Sequence, residues 1–308
     1  MKRLLLILSL LALPVLASAQ EESQADFLRR YNNLVERVGP AGLGVETLLA
    51  KWEAAYPEDP QQMLARFSFT FTRCRTSEVQ DLPDSRHLGQ QPILSMTDSL
   101  GKRHNYFEIY HYDDALFAEA LTAIEKAIRA KPWRLDYRMV KTDALLAYEQ
   151  GSPEMTVADL KALADKHYKE HPVWEYEGMD GVTDDQFKAF LQDYCAAIFR
   201  LGTDASALAF KDLSEYLLAY SKDDPVFLDN LGSYYLVKKD YKNARKYFDQ
   251  VLRKHPSDMT ALRNCILMAR TAKDRKMETK YLALMARYGD TETERQSAQT
   301  RLDAYKKK

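Results

Sequence analysis

The string HYKEH, residues 167–171, has the clearest potential for chemistry in this chain. On a helix, the imidazoles of His167 and His171 would share one face and could both bind zinc, with the Glu170 carboxylate as a general base. Zinc also needs a third ligand and a cleft. Pro172 follows directly and marks a helix end, where the helix dipole favours histidine. Zinc hydrolysis is therefore only a minor alternative, and we predict no catalytic residue, no cofactor and no metal.

Two other sets of reactive side chains have simpler explanations. In the string HYDD, residues 111–114, an aspartate is better interpreted as the N-cap of a following helix than as a metal ligand. Cys74, Cys195 and Cys265 are far apart and form no Cys-x-x-Cys motif, so we expect buried apolar thiols, of which at most one pair could form a disulfide. The sequence contains no glycine-rich phosphate loop and no Gly-x-Ser-x-Gly elbow.

Aromatic side chains with polar tips are the remaining candidates for binding. Tyr106, Tyr110 and Tyr112 lie in a stretch that alternates as a strand does, whereas Trp174 and Tyr176 lie in a helix-poor loop beside acidic residues. Such side chains suit peptide or sugar recognition, although they also pack one helical unit on the next. We predict these five residues as partner-binding, with a glycan or small ligand as the alternative to a protein or peptide.

The N-terminus has the pattern of a bacterial secretory signal. Lys2 and Arg3 precede an apolar run, and small residues end at Ala19, so we predict a signal peptide over residues 1–19 and a periplasmic or secreted protein. Without Lys2 and Arg3, 42 of the 44 basic residues remain against 45 acidic ones. This near-neutral balance gives no electrostatic reason to expect nucleic-acid binding, and we expect no integral membrane segment after cleavage.

A helical repeat is clearest over residues 225–258. Large, small and aromatic residues recur there at helical spacing, and a proline ends the unit: Leu228, Leu231, Gly232, Tyr235, Ala244, Phe248, Val251 and Pro256. Gly232 leaves room where a second helix crosses closely, and Phe248 lies on the facing stripe. The chain therefore contains at least one unit of two packed helices.

This unit resembles the tetratricopeptide repeat (TPR), whose pattern of about 34 residues has these residue types at these offsets. The whole chain is also similar to exported TPR proteins of the Bacteroidota. The resemblance implies an all-α fold, a TPR-like α–α superhelix that forms a right-handed solenoid and holds protein or peptide partners. We expect one such domain over residues 20–308, with a charged capping helix over 291–306 that begins at a Thr291–Glu294 capping box.

One helical pair is interrupted by residues of a different pattern. Helix-like residues around Phe67 and Ala120 match the two halves of a repeat unit, and an insertion of about residues 75–112 separates them. Within it, Asp98 and Gly101 predict a turn between two strands. The sequence therefore predicts a β-hairpin insertion with Phe107 and Ile109 facing the helices.

Overall fold

The computed structural model describes residues 22–177, 179 and 181–306; the predicted signal peptide, residues 1–19, lies outside them. The described part is mostly helical, as the sequence predicts, with a small three-stranded sheet. Its elements, in chain order, are α1 Gln24–Val38, α2 Val45–Ala55, α3 Pro60–Arg73, β1 Arg75–Leu82, β2 Leu94–Thr97, β3 Arg103–Tyr112, α4 Asp114–Ala130, α5 Leu135–Glu149, α6 Glu154–Glu170, α7 Asp184–Arg200, α8 Asp204–Leu218, α9 Pro225–Val237, α10 Tyr241–Lys254, α11 Met259–Thr271, α12 Arg275–Tyr288 and α13 Glu292–Lys306. Across these residues, no helix combines the length and apolar character that a membrane span requires.

The helix ends follow the residues that the sequence places there. Asp224 accepts a hydrogen bond from the backbone N–H of Val226 at 3.0 Å, and Pro225 occupies the first turn of α9. Asp113 accepts from the N–H of Leu116 at 2.9 Å and caps α4, which confirms the capping interpretation of the HYDD string. Local sequence therefore determines where these helices begin.

Most consecutive helices pack on each other along the chain, and Gly232 shows why one contact is so close. A Cβ added at Gly232 would lie 2.5 Å from Cε1 of Phe248, whose ring is fully buried. The helices α9 and α10 therefore approach so closely that any side chain at position 232 would displace the Phe248 ring, as the repeat pattern predicts.

Helices α3 and α4 form one packed pair, although the sheet lies between them in the chain. Phe71 of α3 and Phe117 of α4 are 6.1 Å apart at their ring centroids. The backbone N–H of Asp113 donates to the carbonyl of Cys74 at 2.7 Å, which closes the base of the insertion. The chain thus enters and leaves the sheet beside the packed pair of α3 and α4.

The insertion has three strands rather than the two of the predicted hairpin. β2 and β3 pair antiparallel about the expected turn, where Gly101 has a φ of +82° and Asp98 accepts from two backbone N–H groups. β1 pairs antiparallel with the other side of β3, so the order is β1-β3-β2. The sequence analysis missed β1 because its side chains are mostly exposed and lack an apolar alternation. Phe107 is buried as predicted, whereas Ile109 is half-buried.

The buried side chains form successive clusters that follow the helices from α1 to α13. Cys74, Cys195 and Cys265 are buried and free, and burial raises the pKa of each thiol. They pack as the small apolar residues that the sequence analysis expects.

The last helix, α13, is largely exposed and has Ala298 as its buried residue. Thr291 and Glu294 exchange the reciprocal bonds of the predicted capping box. Farther along, Arg301 and Tyr305 bind the buried carboxylate of Glu278 on α12. Burial opposes ionisation of Glu278, but these two partners and Arg270, which donates to the same carboxylate at 2.8 Å, together lower its pKa below the usual range.

Candidate functional site

A cleft of about 330 Å³ lies between the inserted sheet and helix α5, and we call it the insertion cleft. Strand β3 forms one wall, α5 the opposite wall, and the loop between β1 and β2 the third. Its lining residues are Arg75, His87, Leu88, Gln90, Glu108, Ile109, Tyr110, Tyr112, Asp143, Leu146, Ala147, Gln150 and Leu201.

Helix α5 presents one face to the insertion cleft. Asp143, Leu146 and Ala147 are spaced by three or four residues, so their side chains project from the same side of the helix, and Gln150 follows α5 as its C-cap. Together they combine an acidic group, two apolar groups and an amide. A helical wall of this kind can contact both the backbone and the side chains of a bound chain.

The third wall is held by a close backbone contact. A Cβ added at Gly89, whose φ is +78°, would lie 2.2 Å from the carbonyl oxygen of Arg200 at the end of α7. The neighbouring residue Leu88 also has a positive φ, of 46°. The insertion therefore reaches from the α3–α4 pair to the end of α7 and closes one end of the cleft.

On the sheet side of the cleft, neighbouring polar side chains contact one another. The Arg75 guanidinium lies 5.0 Å from the ring centroid of Tyr110, and the Ser77 hydroxyl donates to Glu108 at 2.8 Å. The hydrogen bonds from Ser77 and Tyr110 lower the pKa of Glu108, and the Glu108 carboxylate in turn raises the pKa of Tyr110. Glu108 is therefore anionic at neutral pH, with Arg75 nearby.

Asp143 is the other carboxylate of the cleft. Its concave surroundings raise its pKa by partial desolvation, although the side chain still reaches solvent, and the hydroxyl of buried Tyr194 donates to it at 2.9 Å. Within the part of the chain that the structure describes, no Lys, Arg or His side chain pairs with Asp143. The cleft thus holds a carboxylate without a cationic partner.

The structure brings together only some of the predicted partner-binding residues. Tyr110 and Tyr112 line the insertion cleft. Tyr112 also packs edge-on against Tyr148 of α5, with centroids 5.6 Å apart, so part of its ring supports the cleft wall. Tyr106 lies farther along β3, outside the cleft, where its ring stacks on His104 at 6.5 Å.

Trp174 is a correction to the sequence analysis, because its side chain is fully buried and is not available to a partner. Its indole N–H donates to Nδ1 of buried His167 at 3.1 Å, and its ring stacks on Phe187 at 6.1 Å. Tyr176 is half-buried and stacks on Phe190 at 5.6 Å. The aromatic loop therefore packs helices together, which is the alternative that the sequence left open.

The residues of the HYKEH string lie at the C-terminal end of α6. His167 is buried between Trp174 and Phe187, and burial lowers its pKa. His171 is the left-handed C-cap of the helix, and the Glu170 carboxylate pairs with Lys166 at 2.6 Å. Among the described residues, no three His, Cys, Asp or Glu side chains are grouped closely enough to hold a metal ion.

A larger groove of about 510 Å³ lies between α1 and α2 and has the basic side chains Arg30, Arg37 and Lys51 on its walls. Arg30 is already paired with Glu22 at 2.5 Å. The groove is framed by one helical pair, whereas the insertion cleft joins three parts of the chain and exposes strand backbone. We therefore take the insertion cleft as the candidate site.

Comparison with known proteins adds little to this geometry. No family model and no curated protein matches the chain. A similar chain among solved structures, from Pseudomonas aeruginosa, is described as "Functional Characterization of Pseudomonas Aeruginosa pilF". It is 11% identical, the match covers 90% of this chain and 96% of that chain, and the TM-score is 0.34. We draw no conclusion about fold or function from a likeness this weak.

Sequence reasoning missed Arg75, Asp143 and Gln150 as cleft residues. None of them belongs to a motif, and each comes from a different element or turn of the chain. One local signal for the open edge of the sheet was present in the sequence. Pro92 lies just before β2 and limits how far that strand can extend.

Proposed function

We propose that this chain is an exported helical-repeat scaffold that binds another protein or peptide at the bacterial cell envelope and performs no catalysis. The insertion cleft carries the proposal, because it places a part of β3 that β2 does not cover, a carboxylate without a cationic partner and apolar side chains in one concave site. Sites of this composition suit polypeptide ligands. The TPR-like unit and its Gly232–Phe248 contact support a right-handed solenoid of the TPR type as the framework.

Binding can be tested with a variant that fills the cleft. Ala147→Phe places a ring in the insertion cleft, whereas Ala118→Phe places the same ring on an exposed position of α4. We expect wild type and Ala118→Phe to capture the same stoichiometric partner from envelope extracts, and Ala147→Phe to lose it while keeping the wild-type melting temperature. A partner retained by folded Ala147→Phe, or no stoichiometric partner at all, would contradict binding in the cleft.

Export is tested separately by N-terminal sequencing of the protein recovered from cell fractions. We expect the mature chain to begin at Gln20 and to appear in the periplasm or the medium. A chain recovered from the cytoplasm with Lys2 and Arg3 intact would contradict export.

A further inference from the structure

Strand β3 is longer than the strand that covers one of its edges. β2 pairs with β3 from Thr97 opposite Arg103 to Leu94 opposite Tyr106, whereas β3 continues to Tyr112. On the other edge, β1 pairs along β3 as far as Tyr112. The last part of β3 therefore has a neighbouring strand on one side only.

The direction of the backbone groups follows from bonds at both ends of the sheet. The N–H of Asp113 donates to Cys74 on the β1 side, whereas the carbonyls of Lys102 and Tyr106 accept from residues on the β2 side. Backbone groups alternate between the two edges along an antiparallel strand. Glu108 and Tyr110 therefore point their N–H and C=O groups away from β1 and into the insertion cleft.

Pro92 explains why β2 does not cover this edge. Leu94 is paired with Tyr106, and the N–H of Ile93 also donates to the Tyr106 carbonyl, at 2.8 Å, so Pro92 is the next residue along the chain. Proline has no N–H with which to continue the ladder, and the pairing with β3 ends before it. The ladder is thus interrupted by the sequence at the position where the cleft begins.

Gln150, the C-cap of α5, supplies one substitute for the missing strand. The side-chain Nε2 of Gln150 donates to the Tyr110 carbonyl at 3.1 Å, as the backbone N–H of a paired strand would. Among the described residues, the N–H and C=O of Glu108 and the N–H of Tyr110 have no such partner. Unpaired strand edges are sites where a second chain can add by backbone hydrogen bonds.

The charges around this edge select among extended chains. The carboxylates of Glu108 and Asp143 face the cleft. The guanidinium group of Arg75 also lines the cleft and lies over the Tyr110 ring. Asp143 has only the Tyr194 hydroxyl as a polar partner within the described part of the chain. A basic side chain would complement this carboxylate, whereas an acidic one would be repelled.

We propose that a short extended segment of a partner polypeptide adds to β3 alongside Glu108 and Tyr110, in line with β2, and directs a lysine or arginine side chain to Asp143. This inference rests on the proposed partner-binding function and specifies its mode. The bound segment replaces the Gln150 amide at Tyr110, and its other side chains lie on Leu146 and Ala147.

The test uses the purified chain and a phage-displayed library of random dodecapeptides, counter-selected against Ala147→Phe. We expect cleft-dependent binders that carry a basic residue. The best synthetic peptide should slow amide exchange at Glu108 and Tyr110. In the bound peptide, every second backbone N–H donates to β3. Methylation of one of these nitrogens should therefore weaken binding at least about tenfold.

A double-mutant cycle tests the basic residue. Asp143→Asn should weaken the lysine peptide about tenfold, but should scarcely affect the same peptide with norleucine in place of lysine. The absence of cleft-dependent binders, unprotected amides at Glu108 and Tyr110, or no preference for a basic residue would each overturn the inference. Partner capture that is lost in Ala147→Phe without these signatures would leave the proposed function intact and contradict only strand addition.

Discussion

At the scale of single residues, Asp229 on α9 is an ionisable group in an unusual environment. Its side chain is 6% exposed, and its Oδ1 has no hydrogen-bond partner among the described residues. Burial, with a smaller contribution from the nearby Asp258 carboxylate, raises the pKa of Asp229 to about 8. The carboxyl group is therefore mostly protonated at neutral pH in the folded chain, whereas an unfolded aspartate is ionised.

This difference makes stability depend on pH. Between about pH 4 and pH 8 the folded state holds a proton at Asp229 that the unfolded state has lost, so the free energy of unfolding falls as pH rises. The limiting slope from this group is about 1.4 kcal/mol per pH unit. We expect Asp229→Asn to flatten this dependence and to be more stable than wild type at pH 8, as measured by urea unfolding across the range.

The control is Asp185→Asn, at a carboxylate whose side chain is 95% exposed. It should leave the pH dependence of wild type unchanged. If Asp229→Asn follows the same pH profile as wild type, Asp229 is ionised in the folded chain and this account of its environment is wrong.

Trp174 makes a second prediction at this scale. Trp174→Phe keeps a buried ring but removes the donor to Nδ1 of His167, which then lacks a partner in the core. We expect the free energy of unfolding to fall by about 1–3 kcal/mol, while partner capture stays at the wild-type level. Tyr176→Phe, which removes only a hydroxyl from a half-buried ring, should change neither quantity. Loss of partner capture in a folded Trp174→Phe chain would restore the tryptophan as a binding residue.

At the scale of elements, side-chain packing limits how closely the two helices of a pair can approach, and α9 with α10 is the clearest case. Gly232→Ala adds a Cβ within 2.5 Å of the Phe248 ring. Alanine favours the helix by about 1 kcal/mol, but the ring that it would displace is fully buried in the core.

We expect Gly232→Ala to lower the free energy of unfolding by about 1–3 kcal/mol in denaturant titrations. The adjacent substitution Ser233→Ala should be near neutral, which separates crowding from helix propensity. Adding Phe248→Leu to Gly232→Ala should recover part of the loss. A Gly232→Ala chain more stable than wild type would show that the helices can separate.

The elements also show how far the sequence leads. The start of α9 at Pro225, the start of α4 after Asp113 and the turn at Asp98 were predictable, because capping and turn residues act over a few positions. β1 was not, since its pairing with β3 joins distant residues and its own side chains, such as Val79, are exposed. Asp143 and Gln150 likewise gain a role only when α5 packs beside the sheet.

At the scale of the whole molecule, the insertion links distant parts of the helical array. Its base is closed by the Asp113–Cys74 bond beside α3 and α4, and its loop contacts the end of α7 through Gly89. The insertion cleft lies between these two attachments. A local interruption of one helical pair thereby produces a concave site with strand backbone on one wall and a helix face on the other.

The most direct test of partner binding in this cleft is site-specific photo-crosslinking in intact cells that produce the protein. A photoreactive phenylalanine at position 147 lies in the insertion cleft, and the same residue at position 118 lies on the exposed face of α4. We expect irradiation to give one discrete adduct with another polypeptide from position 147 and none from position 118. No adduct at position 147, or the same adducts from both positions, would contradict the account.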